Sequence, residues 1–196
     1  MATVPTRRYR TAKKIQETAV QLAVQNGLAN TTTEAIAREA GISTRSFFNY
    51  YPYKEAAIMG PSPHYPRDAA EKFVISRGVL LDDLKILIAT HLRRFESERD
   101  MIAHILTLAA DDPKLEALRG SAILARRAEM RDLLTRRMPM GNEVHVEILS
   151  ASIIAATNIA VRHWAQRKIE DFVGASHKYL DMIASSAALL EKPVTN

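Results

Sequence analysis

Side chains that could recognise a polyanion are concentrated in one short stretch, Ala40 to Tyr51, which reads AGISTRSFFNYY. It combines Arg45 and Asn49 with four aromatic residues among its last five positions. Arginine is the commonest specific reader of guanine, asparagine suits adenine, and an exposed aromatic ring can contact a thymine methyl group. Aromatic residues at this density normally lie in a core. The stretch therefore predicts a short helix with a buried aromatic face and an exposed polar face that is suited to bases.

Two further helices must position this stretch. RTAKKIQETAVQLAVQNG places apolar residues at i, i+4, i+7 and i+8, which predicts a first helix. NTTTEAIAREAG predicts a short second helix with Thr32 or Thr33 as its N-cap. Gly41 ends that helix, and Ser43 caps a third helix over about residues 44–50. Two short helices joined by a glycine-containing turn are the sequence form of a helix-turn-helix.

The third helix divides into two faces. Phe47 and Tyr51 are four residues apart and point to the same side, where they can pack on the first two helices. The opposite face is left toward DNA, and it consists of Thr44, Arg45, Ser46, Phe48 and Asn49.

The segment from about Arg10 to Ile58 resembles the DNA-binding domain of TetR-type (TetR/AcrR family) transcriptional regulators. The resemblance runs through GLANTTTEAIAREAGISTRSFFNYYPYKEAAI, which fits the family's order of Thr-Thr, Ile-Ala, Ala-Gly-Val/Ile-Ser, an aromatic-rich recognition helix and Lys-Glu. It implies that the face defined above reads bases, with Ser43 among the DNA-binding residues. The resemblance also implies that phosphates are held by Thr33, Tyr50 and Lys54.

Two aromatic positions depart from the family pattern. Phe48 stands where the family commonly has tyrosine, so its contact with DNA would be apolar. Tyr51 stands where phenylalanine is common, so its hydroxyl needs a partner, which we expect at the junction between domains.

The net charge of +5 is concentrated near the N-terminus. Residues 1–64 carry eight Lys and Arg against four Asp and Glu, which favours a polyanion partner or, alternatively, a solvated face. Arg7, Arg8 and Arg10 precede the predicted first helix. We interpret them as a flexible arm that reaches a phosphate or the minor groove, or otherwise as a disordered terminus.

Composition narrows the class of protein. The 196 residues contain no cysteine, which excludes disulfides and thiolate metal sites. No signal peptide and no uninterrupted run of 18 apolar residues is present, so we expect a cytoplasmic protein without a membrane span.

Helical periodicity continues to the C-terminus, so the fold class is all-α: an N-terminal three-helix helix-turn-helix domain and a larger C-terminal helical bundle for ligand binding and dimerisation. The Pro-rich GPSPHYP segment separates a predicted domain 1–60 from a predicted domain 61–196. A short fourth helix, Lys54 to Met59, precedes this segment. The later helices are predicted at about 67–77, 80–98, 100–110, 113–137, 143–168 and 170–191.

The helix predicted at 143–168 contains EILSASIIAATNIAVRHWAQ, which is apolar on almost every side. Such a helix is buried on two fronts, and the second front is either another subunit or more of the chain's own core. A homodimer built from the last two helices is our interpretation, because two major-groove readers require a twofold arrangement. Its predicted interface residues are Ala151, Ala155, Ala156, Leu180, Ile183 and Ala187.

Polar residues among these apolar helices are candidates for an effector pocket, although each also fits ordinary packing or a surface position. The candidates are His91, Phe95, His104, Met130, Asn158 and Arg162.

No pattern of catalytic or metal-ligating residues stands out, so no enzyme activity, metal or cofactor is expected. The TetR resemblance implies a repressor that binds a palindromic double-stranded DNA operator as a homodimer and is released by a small apolar or amphipathic effector. A DNA-binding dimer without an effector and a helical-bundle enzyme remain the alternatives.

Overall fold

The computed structural model describes residues 6–61 and 64–191, and within these ranges it contains ten α-helices and no strand. The all-α prediction is confirmed. The helices are α1 (Arg7–Asn26), α2 (Thr33–Glu39), α3 (Thr44–Phe48), α4 (Lys54–Met59), α5 (Arg67–Ile75), α6 (Leu80–Leu92), α7 (Arg99–Asp111), α8 (Pro113–Arg137), α9 (Glu143–Ala165) and α10 (Phe172–Ala187).

Two predicted helices are shorter than expected and continue as 3₁₀ turns. The prediction at 80–98 covers α6, which ends at Leu92, and a 3₁₀ segment at Arg93–Glu98. That segment reads RRFESE, and a single apolar residue in six cannot hold an amphipathic α-helix against a core. The last helix likewise changes to a 3₁₀ turn at Ala188–Glu191.

The first of two compact units contains residues 1–63 together with residues 100–122. Its core is built from apolar faces of α1, α2 and α3, and from parts of α4, α7 and α8. The side chains at its centre are fully buried, and they include Ile15, Ile36, Phe47, Ile58 and Leu115.

The second compact unit contains residues 64–99 and 123–196. In this unit α10 packs against both α9 and α6, and α5 packs against α6. Fully buried side chains from four helices form its core, namely Leu87, Ile88, Met130, Leu134, Ile153 and Leu180.

One buried arginine fixes the connection between α5 and α6 in the second unit. The guanidinium of Arg137, at the end of α8, donates hydrogen bonds to the carbonyls of Phe73, Ser76 and Gly78. It also pairs with Asp83 at 2.6 Å. Five donors in a planar fork suit a site that presents several oxygens, so this loop is held to α8 by one side chain.

Helix α9 is long and apolar enough to cross a membrane by length and composition alone. Nine of its residues are buried, including Val146, Ile153, Ala160 and Trp164. Core helices of globular domains have the same composition, and the packing of α10 along α9 gives the helix that role here.

Candidate nucleic-acid interface

The turn between α2 and α3 is set by a glycine with a left-handed backbone. Gly41 has φ 72°, a conformation that costs residues with a β-carbon strain energy. The amide of Ile42 donates to the carbonyl of Ala37 at 2.9 Å, and that of Gly41 donates to Arg38 at 3.1 Å. These bonds satisfy the last carbonyls of α2 and direct the chain into α3.

Ser43 begins α3 as predicted, because its hydroxyl accepts a hydrogen bond from the amide of Ser46 at 3.0 Å. The hydroxyls of the two serines are also 2.9 Å apart. A helix of five residues cannot persist on its own, so this cap and the aromatic packing described below are what hold α3 in place.

The two faces of α3 are arranged as the spacing predicts. Phe47 is fully buried and lies in edge contact with Phe48, with ring centroids 5.5 Å apart. On the outer side, Arg45 and Asn49 are exposed, and Phe48 remains 52% exposed. Thr44 and Ser46 are half-buried at the edges of this outer face.

Tyr51 finds its partner inside the first unit. Its hydroxyl donates to the carbonyl of Ala12 on α1 at 3.1 Å. Burial, and secondarily Tyr9, raises the pKa of Tyr51, so the phenol stays protonated and remains a donor. The prediction that this hydroxyl is satisfied at a domain junction is wrong, because its acceptor, the carbonyl of Ala12, lies in the same unit.

Arg8 and Arg10 lie within α1, so the predicted flexible arm is wrong. Thr6 caps the helix by accepting from the amide of Tyr9 at 3.2 Å, and α1 therefore begins at Arg7. The guanidinium of Arg8 stacks over Tyr50 at 5.3 Å from the ring centroid and donates to the carbonyl of Asn49 at 3.2 Å. Arg8 is thus fixed beside the end of α3. Arg10 is exposed, and it lies about one helical turn before the first buried residues of α1.

The expected phosphate contacts have different local settings. Lys54 is half-buried, and its ammonium donates to the carbonyls of Leu28 and Thr31 at 2.7 and 2.9 Å. It therefore holds the α1–α2 turn and has at most one N–H left for a phosphate. Thr33 is the first residue of α2, and it adjoins the exposed carboxylate of Glu34. Backbone and threonine hydrogen bonds lower the pKa of Glu34, so Thr33 has a negative charge beside it.

Lys14 was not singled out from the sequence, yet it lies next to the turn. A β-carbon added to Gly41 would be 3.7 Å from the Lys14 ammonium, and Lys14 is exposed. Lys14 comes directly before the fully buried Ile15 on α1, and this position in the sequence indicates a cation at the edge of the buried face. Lys14 therefore adds positive charge near the start of α3, and Arg8 adds it near the end.

Helix α4 is tied to two neighbours in the same unit. The carboxamide of Gln16 on α1 donates to the carbonyls of Ile58 and Met59 at 3.2 and 3.0 Å. At the other end, Lys114 of α8 pairs with Glu55 at 2.9 Å and lies 4.0 Å from the centroid of the Tyr53 ring. Helix α4 is thus held at both ends.

The predicted pocket residues are divided between the two units. His104 belongs to the first unit, where it lines an open groove of about 330 Å³ with Met101 of α7 and residues of α1, including Val20 and Val24. The other five belong to the second unit. His91 and Phe95 are in edge contact at 5.3 Å, Met130 is fully buried, Asn158 is half-buried and Arg162 is exposed.

The predicted interface residues are also divided. Ala155 and Ala187 are exposed, Ala151 and Ile183 are half-buried, and Ala156 and Leu180 are buried within the second unit. Three larger apolar residues that were not predicted from the sequence are exposed on the same side of α9 as Ala155. They are Val144, Ile148 and Ile159. These three define, with Ala155, the α9 apolar face.

Metal binding finds no support among the described residues. Across residues 6–61 and 64–191 there is no group of three or more His, Asp or Glu side chains that could hold an ion.

Comparison with known proteins finds one match to a family model, in the N-terminal segment. Residues 15–56 match the family model described as bacterial regulatory proteins, tetR family. This range covers α2 and α3 completely, together with the buried part of α1. No curated protein matches the chain.

Solved structures with the same fold cover nearly the whole chain. FadR, the fatty acid degradation regulator of Bacillus halodurans, is 16% identical over 92% of this chain and 96% of its own, with a TM-score of 0.57. FadR of Thermus thermophilus, a TetR-family transcriptional repressor in complex with lauroyl-CoA, is 20% identical over 94% and 96%, with a TM-score of 0.53. SmeT in complex with triclosan is 15% identical over 90% and 91%, with a TM-score of 0.57.

The TM-scores and coverage of these structures show a shared fold. The family match is confined to the segment that contains the glycine turn, the serine cap and the aromatic-backed α3. Residues 15–56 of this chain are therefore similar to the tetR family of bacterial regulatory proteins, and the chain shares the fold of the solved structures.

Proposed function

We propose that this protein is a transcriptional regulator that binds duplex DNA by placing α3 in the major groove. The observation that supports this most directly is the outer face of α3, where Arg45, Asn49 and Phe48 are exposed while Phe47 anchors the helix. A rigid helix with a polar, cationic outer face fits the width of the major groove and its pattern of donors and acceptors.

The roles within this interface follow from position. Base edges are read by Thr44, Arg45, Ser46, Phe48 and Asn49, while Ser43 fixes the start of the helix. Phosphates are held mainly by the flanking cations, Arg8 and Lys14, with Arg10 at longer reach. Thr33, Tyr50 and Lys54 complete the phosphate contacts, Lys54 through its remaining N–H and Tyr50 through its hydroxyl.

Selection of bound fragments from random DNA tests the proposal and, in the same experiment, identifies the operator sequence. We expect a palindromic motif whose half-sites are separated by about one helical turn or a multiple of it. Fluorescence anisotropy with the selected duplex then measures affinity against salt, and binding should weaken steeply as salt rises. Recovery of unselected sequence with no salt-dependent binding would rule out the DNA-binding role.

The DNA-binding form is proposed to be a homodimer that associates through the α9 apolar face and the exposed side of α10. Val144, Ile148 and Ile159 are 70%, 60% and 38% exposed, and Met182 of α10 is 45% exposed. A contiguous apolar face of this kind favours burial against a second surface, and twofold symmetry would make the same face available on the partner.

The regulator is proposed to be a cytoplasmic repressor released by a small apolar or amphipathic effector. Proteins of the same fold have been solved with lauroyl-CoA, which is amphipathic, and with triclosan, which is largely apolar. A ligand releases DNA only if it binds the DNA-free arrangement more tightly, and a tenfold change in operator affinity needs about 1.4 kcal/mol of coupling. No catalytic step is part of this function.

An operator-release screen separates this proposal from a dimer that has no effector. Amphipathic compounds of varied charge are added to the protein–operator complex, and anisotropy reports release. A compound that releases DNA at a concentration matching its own affinity for the protein supports the switch. A broad screen without release leaves the DNA-binding dimer controlled by other means.

A further inference from the structure

His91 is a buried polar side chain held between aromatic rings in the second unit. It lies near the end of α6 and is 6% exposed. Its ring centroid is 4.8 Å from that of Tyr65 and 5.3 Å from that of Phe95. The two neighbours fix the plane of the imidazole, so its two nitrogens point in defined directions.

The hydrogen bond on one nitrogen determines the state of the other. Nη1 of Arg126 is 2.6 Å from Nε2 of His91. A guanidinium can only donate, so Nε2 is the acceptor and the imidazole is neutral with its proton on Nδ1. Burial, together with the charges of Arg126 and Arg94, lowers the pKa of His91 to about 3. The ring is therefore neutral at physiological pH.

The Nδ1–H group is a buried donor without an acceptor. Among residues 6–61 and 64–191, no atom accepts a hydrogen bond from it. The carbonyl of His64 opposes the pKa shift of His91, but it does not reach hydrogen-bonding geometry with Nδ1, and it accepts from Arg94 at 2.9 Å. Buried polar groups are almost always paired with protein, water or ligand, so this N–H marks a place where an acceptor belongs.

The charges around the ring indicate what kind of acceptor fits. Arg126 lies over the Tyr65 ring at 5.4 Å, and Arg94 lies over the Phe95 ring at 5.9 Å. The nearby carboxylate, Glu129, already accepts from the Tyr65 amide at 3.0 Å and lies 3.2 Å from the His64 ring. Two guanidinium groups beside one engaged carboxylate favour an anionic oxygen over a cation.

We propose that His91 and Arg126 form the polar end of the effector site, which receives an anionic oxygen of an amphipathic ligand while Tyr65 and Phe95 contact its apolar part. The inference deepens the proposed function by naming the ligand's charge, and it rests on that function only for the link to DNA. A cationic amphiphile is disfavoured, because it would meet Arg94 and Arg126. A free fatty carboxylate and an acyl-CoA share the required chemistry.

Calorimetric titration with ligands of one chain length tests the charge. Dodecanoate and lauroyl-CoA supply the two sources of an anionic head, and dodecylamine is the cationic control. We expect at least one anionic ligand to bind and dodecylamine to bind at least about tenfold more weakly, since a bond from an N–H to a charged oxygen is a strong one. Binding of dodecanoate alone would identify the carboxylate, whereas binding of lauroyl-CoA alone would identify the nucleotide-bearing ester.

Variants test whether His91 and Arg126 are responsible. His91→Phe keeps an aromatic ring and removes the donor, and Arg126→Met keeps the length of the side chain and removes the charge. Each should weaken the anionic ligand by about tenfold or more, while His145→Phe, at an exposed histidine of the same unit, should not. Far-UV circular dichroism checks folding, and Arg126→Met, at a half-buried position, remains decisive if His91→Phe does not fold.

Nitrogen NMR of the unsubstituted protein gives a readout that does not depend on variants. In protein labelled with ¹⁵N-histidine, the free state should show His91 protonated on Nδ1, and the anionic ligand should shift that resonance. Protonation on Nε2 would overturn the proposal. The proposal would also be overturned if the Nδ1 signal did not change at ligand saturation. That result is expected if only a bound water accepts from the Nδ1–H group.

Failure of this inference is separable from failure of the proposed function. If no anionic ligand binds at millimolar concentration, or if binding persists unchanged in His91→Phe, the anion site is wrong while selection of operator DNA still tests the DNA-binding role. If ligand binding depends on His91 but no DNA is selected, the site stands and the regulatory role is wrong.

Discussion

Helices α3 and α9 both leave one face uncovered, but the chemistry of the two faces is opposite. Five residues make up α3, and its outer side presents Arg45 and Asn49. The 23 residues of α9 instead expose Val144 and Ile148. A polar, cationic face is satisfied by a polyanion and an apolar face by a second apolar surface. The exposed side of each helix, more than its buried side, therefore indicates which kind of surface it can bind.

The largest effect is expected from a charge on the α9 apolar face. Ile148→Asp should convert a dimer to monomers at micromolar concentration, because the carboxylate would be desolvated at the interface. Operator affinity should then fall by about 10²–10⁴, since two half-sites no longer act through one molecule. Light scattering and anisotropy measure the two quantities.

Ile86→Asp is the matched control for that charge, because Ile86 on α6 is 64% exposed and Ile148 is 60% exposed. It should leave both the dimer and the operator affinity unchanged. Equal behaviour of the two variants would mean that the α9 apolar face has no special role.

A smaller effect is expected from the outer face of α3. Arg45→Ala should cost about 1–3 kcal/mol of operator affinity per half-site and relax the preference at one or two base pairs. Repeating the fragment selection with the variant measures this change. Arg93→Ala, an exposed arginine of the second unit, should leave the motif as it was. A motif that survives Arg45→Ala would mean that α3 does not read bases there.

Two lysines of the first unit should separate phosphate binding from stability. Lys14→Ala should lower the salt dependence of DNA binding by about one phosphate per subunit without changing the unfolding midpoint. Lys54→Ala should also destabilise the first unit by about 1–3 kcal/mol, because it leaves the carbonyls of Leu28 and Thr31 without their donor. Anisotropy against salt and urea unfolding distinguish the two, and identical unfolding curves would contradict the assignment for Lys54.

The smallest effects are expected from two glycines with opposite signs. Gly41→Ala should destabilise the chain by about 1–2 kcal/mol, because an alanine would have to adopt a left-handed backbone. Gly120→Ala should stabilise α8 by about 0.5–1 kcal/mol, since a β-carbon there meets nothing within 4 Å. Urea unfolding measures both, and a destabilising Gly120→Ala would show that the α8 surface is covered by something not described above.

The features of the helix-turn-helix that sequence could predict are those set by local chemistry. The Ser43 cap, the Gly41 turn and the two faces of α3 depend on residues within a few positions of one another, and the structure has all three. The start of α1 was missed although its signal was local. Thr6 precedes the helix as a capping residue, and the run of arginines after it was instead interpreted as an arm.

The remaining errors arose where the answer depends on tertiary packing. His91 and His104 are close in sequence, yet they belong to different compact units, and no periodicity distinguishes the two. Ala155 and Ala156 are neighbours in the run of small residues on α9, but the first is exposed and the second is buried. This run does not indicate which side of α9 is covered by α10. A charge at Ala156 is therefore expected to unfold the second unit rather than to separate subunits.

Gln16 has a mechanical consequence for the first unit. A β-carbon on Gly60 would overlap the Gln16 carboxamide, so the end of α4 lies directly against the middle of α1. Four residues earlier, the carbonyl of Ala12 holds the hydroxyl of Tyr51 just after α3. A displacement of α4 cannot be accommodated at Gly60 without breaking the two hydrogen bonds from Gln16, so it is transmitted to α1. Because α1 also holds the chain just after α3, through Tyr51, a displacement of α4 is expected to change the orientation of α3.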